Sequence, residues 1–160
     1  MSGRPIRALF VVPLLGAGGA ERHLTTVLPR MDPARFTPSV VCIGGEGDLF
    51  ADLGAAGIAA TALHLRKWQA VRALRELISI IRRDRPDLVV VSGYNAETLG
   101  RIAARIAGVR HTIMWVHNAS EITPRGVLHR AVDRGLIRWT SGYFGVAKVQ
   151  REFLVQERGY

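Results

Sequence analysis

Glycines that admit a close approach and imidazoles or amides that end apolar runs are the residues of this sequence best suited to chemistry on a polar ligand. In "PLLGAGGAERHL", Gly16, Gly18 and Gly19 separate an apolar run from a patterned helix. Such glycines let backbone come close to a ligand, while the next helix aims its free N–H groups and positive dipole end at an anion. A tight turn without a ligand would use the same glycines. The dinucleotide fingerprint G-x-G-x-x-G fails because Glu21 stands at its third glycine, where a carboxylate repels pyrophosphate; a Walker loop fails for want of Lys-Ser/Thr. His117, at the end of "HTIMWVH", can donate to a ligand hydroxyl or carbonyl and change charge near neutrality, or it can cap its strand against backbone. Tyr94, Asn95 and Asn118 carry groups that pair with hydroxyls, although Asn95 before "AETLG" is equally placed to cap a helix. Lys148 supplies a cation, and Glu21 and Arg22 either face a cleft or pair locally.

These residues need elements that bring them to one edge. Short apolar runs alternate with helical patterns, as a parallel sheet buried on both faces requires. Strands are expected at about 6–12, 38–43, 59–64, 87–92, 111–117 and 142–147, with helices at about 19–31, 48–56, 69–84, 95–107, 126–139 and 148–158. The alternation, without a Ser/Pro-rich linker, predicts one doubly wound α/β domain over 1–160 with a mostly parallel, Rossmann-like sheet. Leu24, Val27, Leu28 and Met31 form one core stripe, and Val71, Leu74, Leu77, Ile78 and Ile81 a second. Gly57 and Gly108 stand where helix ends favour a left-handed residue, Pro86 stops the third helix, and Pro29 shortens the first. Ligands of such sheets bind outside the carboxyl ends of the strands. The glycines, His117, the amides and Lys148 all follow a strand, so that edge is the expected site.

The chain of 160 residues has 22 Lys+Arg against 13 Asp+Glu, a net charge of +9 that favours anionic partners: nucleotide phosphates, nucleic acid or an acidic membrane face. The lone Cys42 has no disulfide partner and no neighbour at metal-ligand spacing, so no metal site and a reducing, cytoplasmic compartment are expected. Arg4 and Arg7 before "ALFVVPLLGAGGA" imitate a signal peptide, but Pro13 interrupts the apolar stretch and a helix follows at once. No apolar run approaches the ~20 residues that span a bilayer. On the third helix, Trp68, Arg72, Arg75, Ser79, Arg82 and Arg83 share one sector, and segment 66–85 holds seven basic residues against Glu76 and Asp84. That face is either a solvated helix surface or a peripheral contact with anionic lipid. Arg130, Arg134 and Arg138 near Trp139 repeat the chemistry.

In order along the chain, "PLLGAGGAERHL", "DLVVVSGYNAETLGRIAARIAG", "HTIMWVHN" and "GYFGVAKVQREFLVQERGY" resemble the N-terminal half of the retaining GT-B glycosyltransferases of family 4. The resemblance implies two Rossmann-like domains around a cleft, the first holding mainly the acceptor and the second a nucleotide-sugar. It implies that this chain is the acceptor-side domain and is inactive alone, because the paired glutamates and basic pair of the donor domain are missing. It places the Gly18-Gly19 loop against donor phosphates or acceptor, and gives His117 the position of a histidine that contacts the transferred sugar. It implies no metal and no cofactor, and an acceptor that is a glycan or is lipid-linked. Two departures from the family pattern, Gly93-Tyr94 where a histidine is common and Ala147 beside Lys148 where a serine is common, predict different acceptor chemistry. The rival expectations are a stand-alone Rossmann-like nucleotide binder and a basic module for membrane or nucleic acid; on the favoured reading nucleic acid is not a partner.

Overall fold

The computed structural model describes residues 3–117 and 127–145, apart from the side chains of 67, 94 and 127–130. The described strands are β1 (Ile6–Val12), β2 (Phe36–Cys42), β3 (Ala59–Ala62), β4 (Leu88–Val91), β5 (His111–Val116) and β6 (Gly142–Gly145). They form one sheet in the order β3-β2-β1-β4-β5-β6, every pairing parallel. The helices are α1 (Gly19–Val27), α2 (Phe50–Ala55), α3 (Ala70–Asp84), α4 (Tyr94–Ala107) and α5 (Val127–Ile137). The helix expected at 148–158 lies outside the described residues.

The central strands are buried on both faces because helices cover both. Alternate residues of β1 divide between two cores: Leu9 and Val11 pack with Leu77, Ile81 and Ala103 of α3 and α4, while Ala8, Phe10 and Val12 pack with Leu24 of α1 and Leu53 of α2. The two stacked layers require the near-continuous apolar runs seen in the sequence. Gly100 lets α4 settle close to the sheet, since a Cβ there would lie 2.6 Å from Val91 Cγ1. At the opposite end of the strands, Arg4 grips Asp87 with two hydrogen bonds of 2.6 Å while Asp87 also accepts the Arg7 N–H. Hydrogen bonding from Arg4 holds the Asp87 carboxyl far below the usual carboxylate range.

Several boundaries differ from the sequence expectation for local reasons. Pro29 ends α1 at Val27, and the chain continues as a 3-10 turn over Leu28–Arg30. β3 stops at Ala62, before His64 turns left-handed at φ 53°. Gly57 and Gly108 do take positive φ at helix ends, and Arg85 does so just before Pro86. The expectation that Val71 belongs to the core is corrected: it is 75% exposed, whereas Leu77 and Ile81 are buried. A 3-10 turn at Lys67–Gln69 precedes α3. Val71 stands in the first turn of α3 to one side of the buried stripe, which runs through Ala73, Leu77, Ile80 and Ile81.

Buried charge ties α4 to α5. Arg101, 1% exposed, donates to the Glu97 carbonyl at 3.0 Å and to the Asp133 carboxylate of α5, and Glu97 is itself fully buried.

Candidate functional site

Strand order reverses between β1 and β4, so the connections leaving them run to opposite flanks and open a crevice at the carboxyl edge. Pro13 sits at this divergence. Its carbonyl accepts the Gly44 N–H from the loop after β2 at 2.7 Å, and its ring faces Gly93 in the loop after β4. Gly93 has φ +86°, and a Cβ on it would fall 2.6 and 2.7 Å from Pro13 Cγ and Cδ. Gly93→Ala is therefore expected to destabilise the domain by about 1–3 kcal/mol, read as a lowered thermal midpoint. An unchanged midpoint would mean that the loops are not in contact.

His117 follows β5 and shares the crevice with Pro13, Ala20, Glu21, Ser92 and Trp115. The Trp115 ring lies 4.4 Å from His117 at a tilt of 40°, and His23 from α1 meets Trp115 at 5.3 Å and His117 at 5.4 Å, both edge to face. Alternation along β5 puts residues 115 and 117 on one face, and α1 lays His23 across them. Burial, and next the proximity of His23, push the His117 imidazole down from 6.5 to about 4. It is neutral at pH 7, with one nitrogen to donate and one to accept. The Trp115 indole N–H is buried and finds no acceptor among the described residues.

The depressed value has a consequence for stability. The unfolded chain takes up this proton near pH 6.5 and the folded one only near 4, so folding weakens as pH falls through that window. His117→Gln should flatten the fall in thermal midpoint between those pH values. An identical slope in both proteins would contradict the burial of the ring.

The glycine loop leads into α1 without strained backbone. Gly16, Gly18 and Gly19 all lack positive φ, and a side chain at Gly19 would meet open space rather than fill a crevice. Gly18 caps α1 in an extended conformation, and the Glu21 carboxylate folds back against it. The first turn thus keeps an anion of its own. Glu21 and Arg22 diverge: Glu21 lines the crevice, and Arg22 donates to the Ala17 carbonyl at 3.2 Å. The close approach that does need glycine is at Gly47, φ +77°, which packs on the backbone of Leu15 and Gly16.

Beside the crevice, on the other side of Pro13, a pocket of about 340 Å³ opens between α3 and α4, lined by Leu14, Gly44, Leu65, Arg66, Asn95 and Thr98 among others. Asn95 belongs here and does not cap α4, because the helix begins one residue earlier with Gly93 at its cap. Tyr94 heads α4, its side chain outside the described set; Asn118 and Lys148 lie outside the described residues altogether. His23, Trp115 and Thr98 were missed from the sequence. The i, i+2 spacing of Trp115 and His117 was the one available signal. A larger hollow of about 860 Å³ lies at the amino-terminal edge around Arg4, Asp87 and His111, away from the helix N-termini, and Arg4 and Asp87 there are engaged with each other. Cys42 is buried and its thiol is pushed up to about 12, which makes it unreactive. Among the described residues, no group of three or more His, Cys, Asp or Glu could hold a metal ion.

The family profile described as Glycosyltransferase Family 4 matches residues 17–160. No curated protein matches the chain. Among solved structures, Anabaena Alr3699/HepE in complex with UDP superposes with a TM-score of 0.75 at 16% identity, over 94% of this chain and 40% of that one. The lipopolysaccharide outer core galactosyltransferase WaaB gives 0.69 at 14% identity, over 97% and 43%. The UDP-GlcNAc 2-epimerase of Neisseria meningitidis bound to UDP-GlcNAc gives 0.62 at 15% identity, over 95% and 43%. The chain spans about two fifths of the length of these proteins, and at such identities the likeness is one of fold.

Proposed function

Because the chain belongs to glycosyltransferase family 4, we propose that it forms the N-terminal, acceptor-side domain of a retaining glycosyltransferase, which moves a sugar from a nucleotide-sugar to a glycan or lipid-linked acceptor. The observation that carries this reading is the half-built crevice: neutral His117 and Trp115 line the switch point together, around a space of only about 20 Å³. That volume holds about one water molecule and no sugar ring. In this reading a second surface completes the site, in keeping with a two-domain cleft. UDP in HepE and UDP-GlcNAc in the epimerase support a nucleotide-sugar as donor.

In this reading His117 positions rather than activates. Its N–H donates to a hydroxyl of the transferred sugar, and with an imidazole titrating near 4 it brings no positive charge at neutral pH. The bond from the anomeric carbon to the leaving phosphate breaks as the acceptor oxygen bonds from the same side, and that phosphate takes the acceptor proton. The pocket beside Asn95 and Arg66 receives the acceptor, its amide and guanidinium facing hydroxyls or a phosphate. No metal or cofactor enters the scheme, and the setting is cytoplasmic. Nucleic acid has no part in it.

The test is transfer from a labelled UDP-hexose by the protein with both domains and by the 160-residue chain alone. Retained anomeric configuration in the first and no transfer in the second are expected. Inversion, transfer by the short chain, or binding of NAD(P) by it would overturn the reading.

A further inference from the structure

Among the described residues, the most exposed large apolar side chains are neighbours. Trp68 is 77% exposed and Val71 75%, and the next, Phe144, is well below them at 55%. With Arg72, Arg75 and Glu76 they adjoin one shallow hollow where the 3-10 turn enters α3, at the carboxyl edge that carries the candidate site. Behind them the exposed face of α3 continues through Arg82, with Glu76 its one acidic residue away from the Arg83–Asp84 pair. Ala73, Leu77, Ile80 and Ile81 bury the opposite face against the sheet, so this helix cannot lay an apolar side into lipid. It presents cations along its length and two apolar side chains at its leading end.

We propose that this corner docks the protein on an anionic lipid bilayer, with Trp68 and Val71 entering the interface and Arg72, Arg75 and Arg82 meeting the headgroups. Charge complementarity selects the partner: a net +9 chain places arginines along a helix of about 22 Å, which matches a flat field of phosphates better than a single bound anion. A tryptophan sits well at headgroup depth, and an exposed valine offers no ring for a base to stack on, which favours bilayer over nucleic acid. The contact is peripheral, since among the described residues no helix is long and apolar enough to cross a membrane. The other basic set is less suited, because the Trp139 ring is already covered by the Arg105 guanidinium at 5.7 Å. Docking by this corner brings the site's edge toward the membrane. The surface stands on its own observations, independent of the transferase reading.

Sedimentation with vesicles of phosphatidylcholine, with and without phosphatidylglycerol, tests it on the 160-residue chain. Binding is expected only with phosphatidylglycerol, weakening as salt rises. Arg72→Gln and Arg75→Gln should each lower partitioning about five-fold, and the double variant Trp68→Ser/Val71→Ser about ten-fold or more. All four positions are exposed, so circular dichroism should be unchanged. Equal recovery in the supernatant from both vesicle types would overturn the proposal, as would unaltered binding by the Trp68/Val71 variant. So would tighter retention by polyuridylate than by vesicles that falls with the same substitutions.

Discussion

Replacing His117 with alanine is expected, on the proposed transferase role, to lower the turnover of a two-domain enzyme by about 10²–10³-fold, the usual cost of removing a donor fixed beside a reacting centre. The domain should keep its fold, because the ring stands after the last residue of β5 and takes no part in the strand ladder. His117→Asn retains a donor of similar reach and should recover part of the loss; a general base would not be rescued in this way. With the imidazole held near 4, turnover should not follow its titration around neutrality. Equal turnover in wild type and His117→Ala would remove the residue from the site. A loss confined to the Michaelis constant of the acceptor would reassign it to acceptor binding.

The largest effect on stability is expected from Arg101→Met. The substitution leaves the Asp133 carboxylate without its guanidinium and Glu97 buried beside a thioether. Breaking such a buried pair from one side costs about 3–5 kcal/mol, which in a domain of this size lowers the thermal midpoint by roughly 10 °C or more. Arg101→Lys keeps a charge but loses the fork that reaches both the Glu97 carbonyl and Asp133, so its loss should be intermediate. A midpoint within a degree or two of wild type for Arg101→Met would mean that the pair does not hold α4 to α5.

Much of the architecture was legible because a doubly wound sheet imposes its pattern locally. Runs such as "DLVVVS" have to be apolar throughout when both faces are covered, and Gly57, Pro86 and Gly108 mark helix ends by backbone chemistry alone. Assigning the site to the carboxyl edge followed from the same topology. What escaped was whatever depended on where an element sits rather than what it is. Val71 has the spacing of a core residue, but α3 is rotated so that Ala73, Leu77, Ile80 and Ile81 face the sheet and Val71 does not. Arg101 within "TLGRIAARIAG" looks like a solvent residue until α5 covers it with Asp133. The loop glycines drew attention through composition, yet Gly47 and Gly93 are the ones whose backbone demands glycine, because each faces another loop distant in sequence. His23 was invisible as a neighbour of His117, since 94 positions separate them.

Pro13 touches both the loop after β2 and the loop after β4, through the Gly44 hydrogen bond and the Gly93 contact. Three segments are thereby clamped into one stiff jaw. A jaw of this kind does not itself fold over a ligand, so on the proposed two-domain reading closure falls to the opposing half. The entropy of ordering its walls is lost during folding and not at each encounter, so remodelling on this side adds little to the cost of binding a ligand.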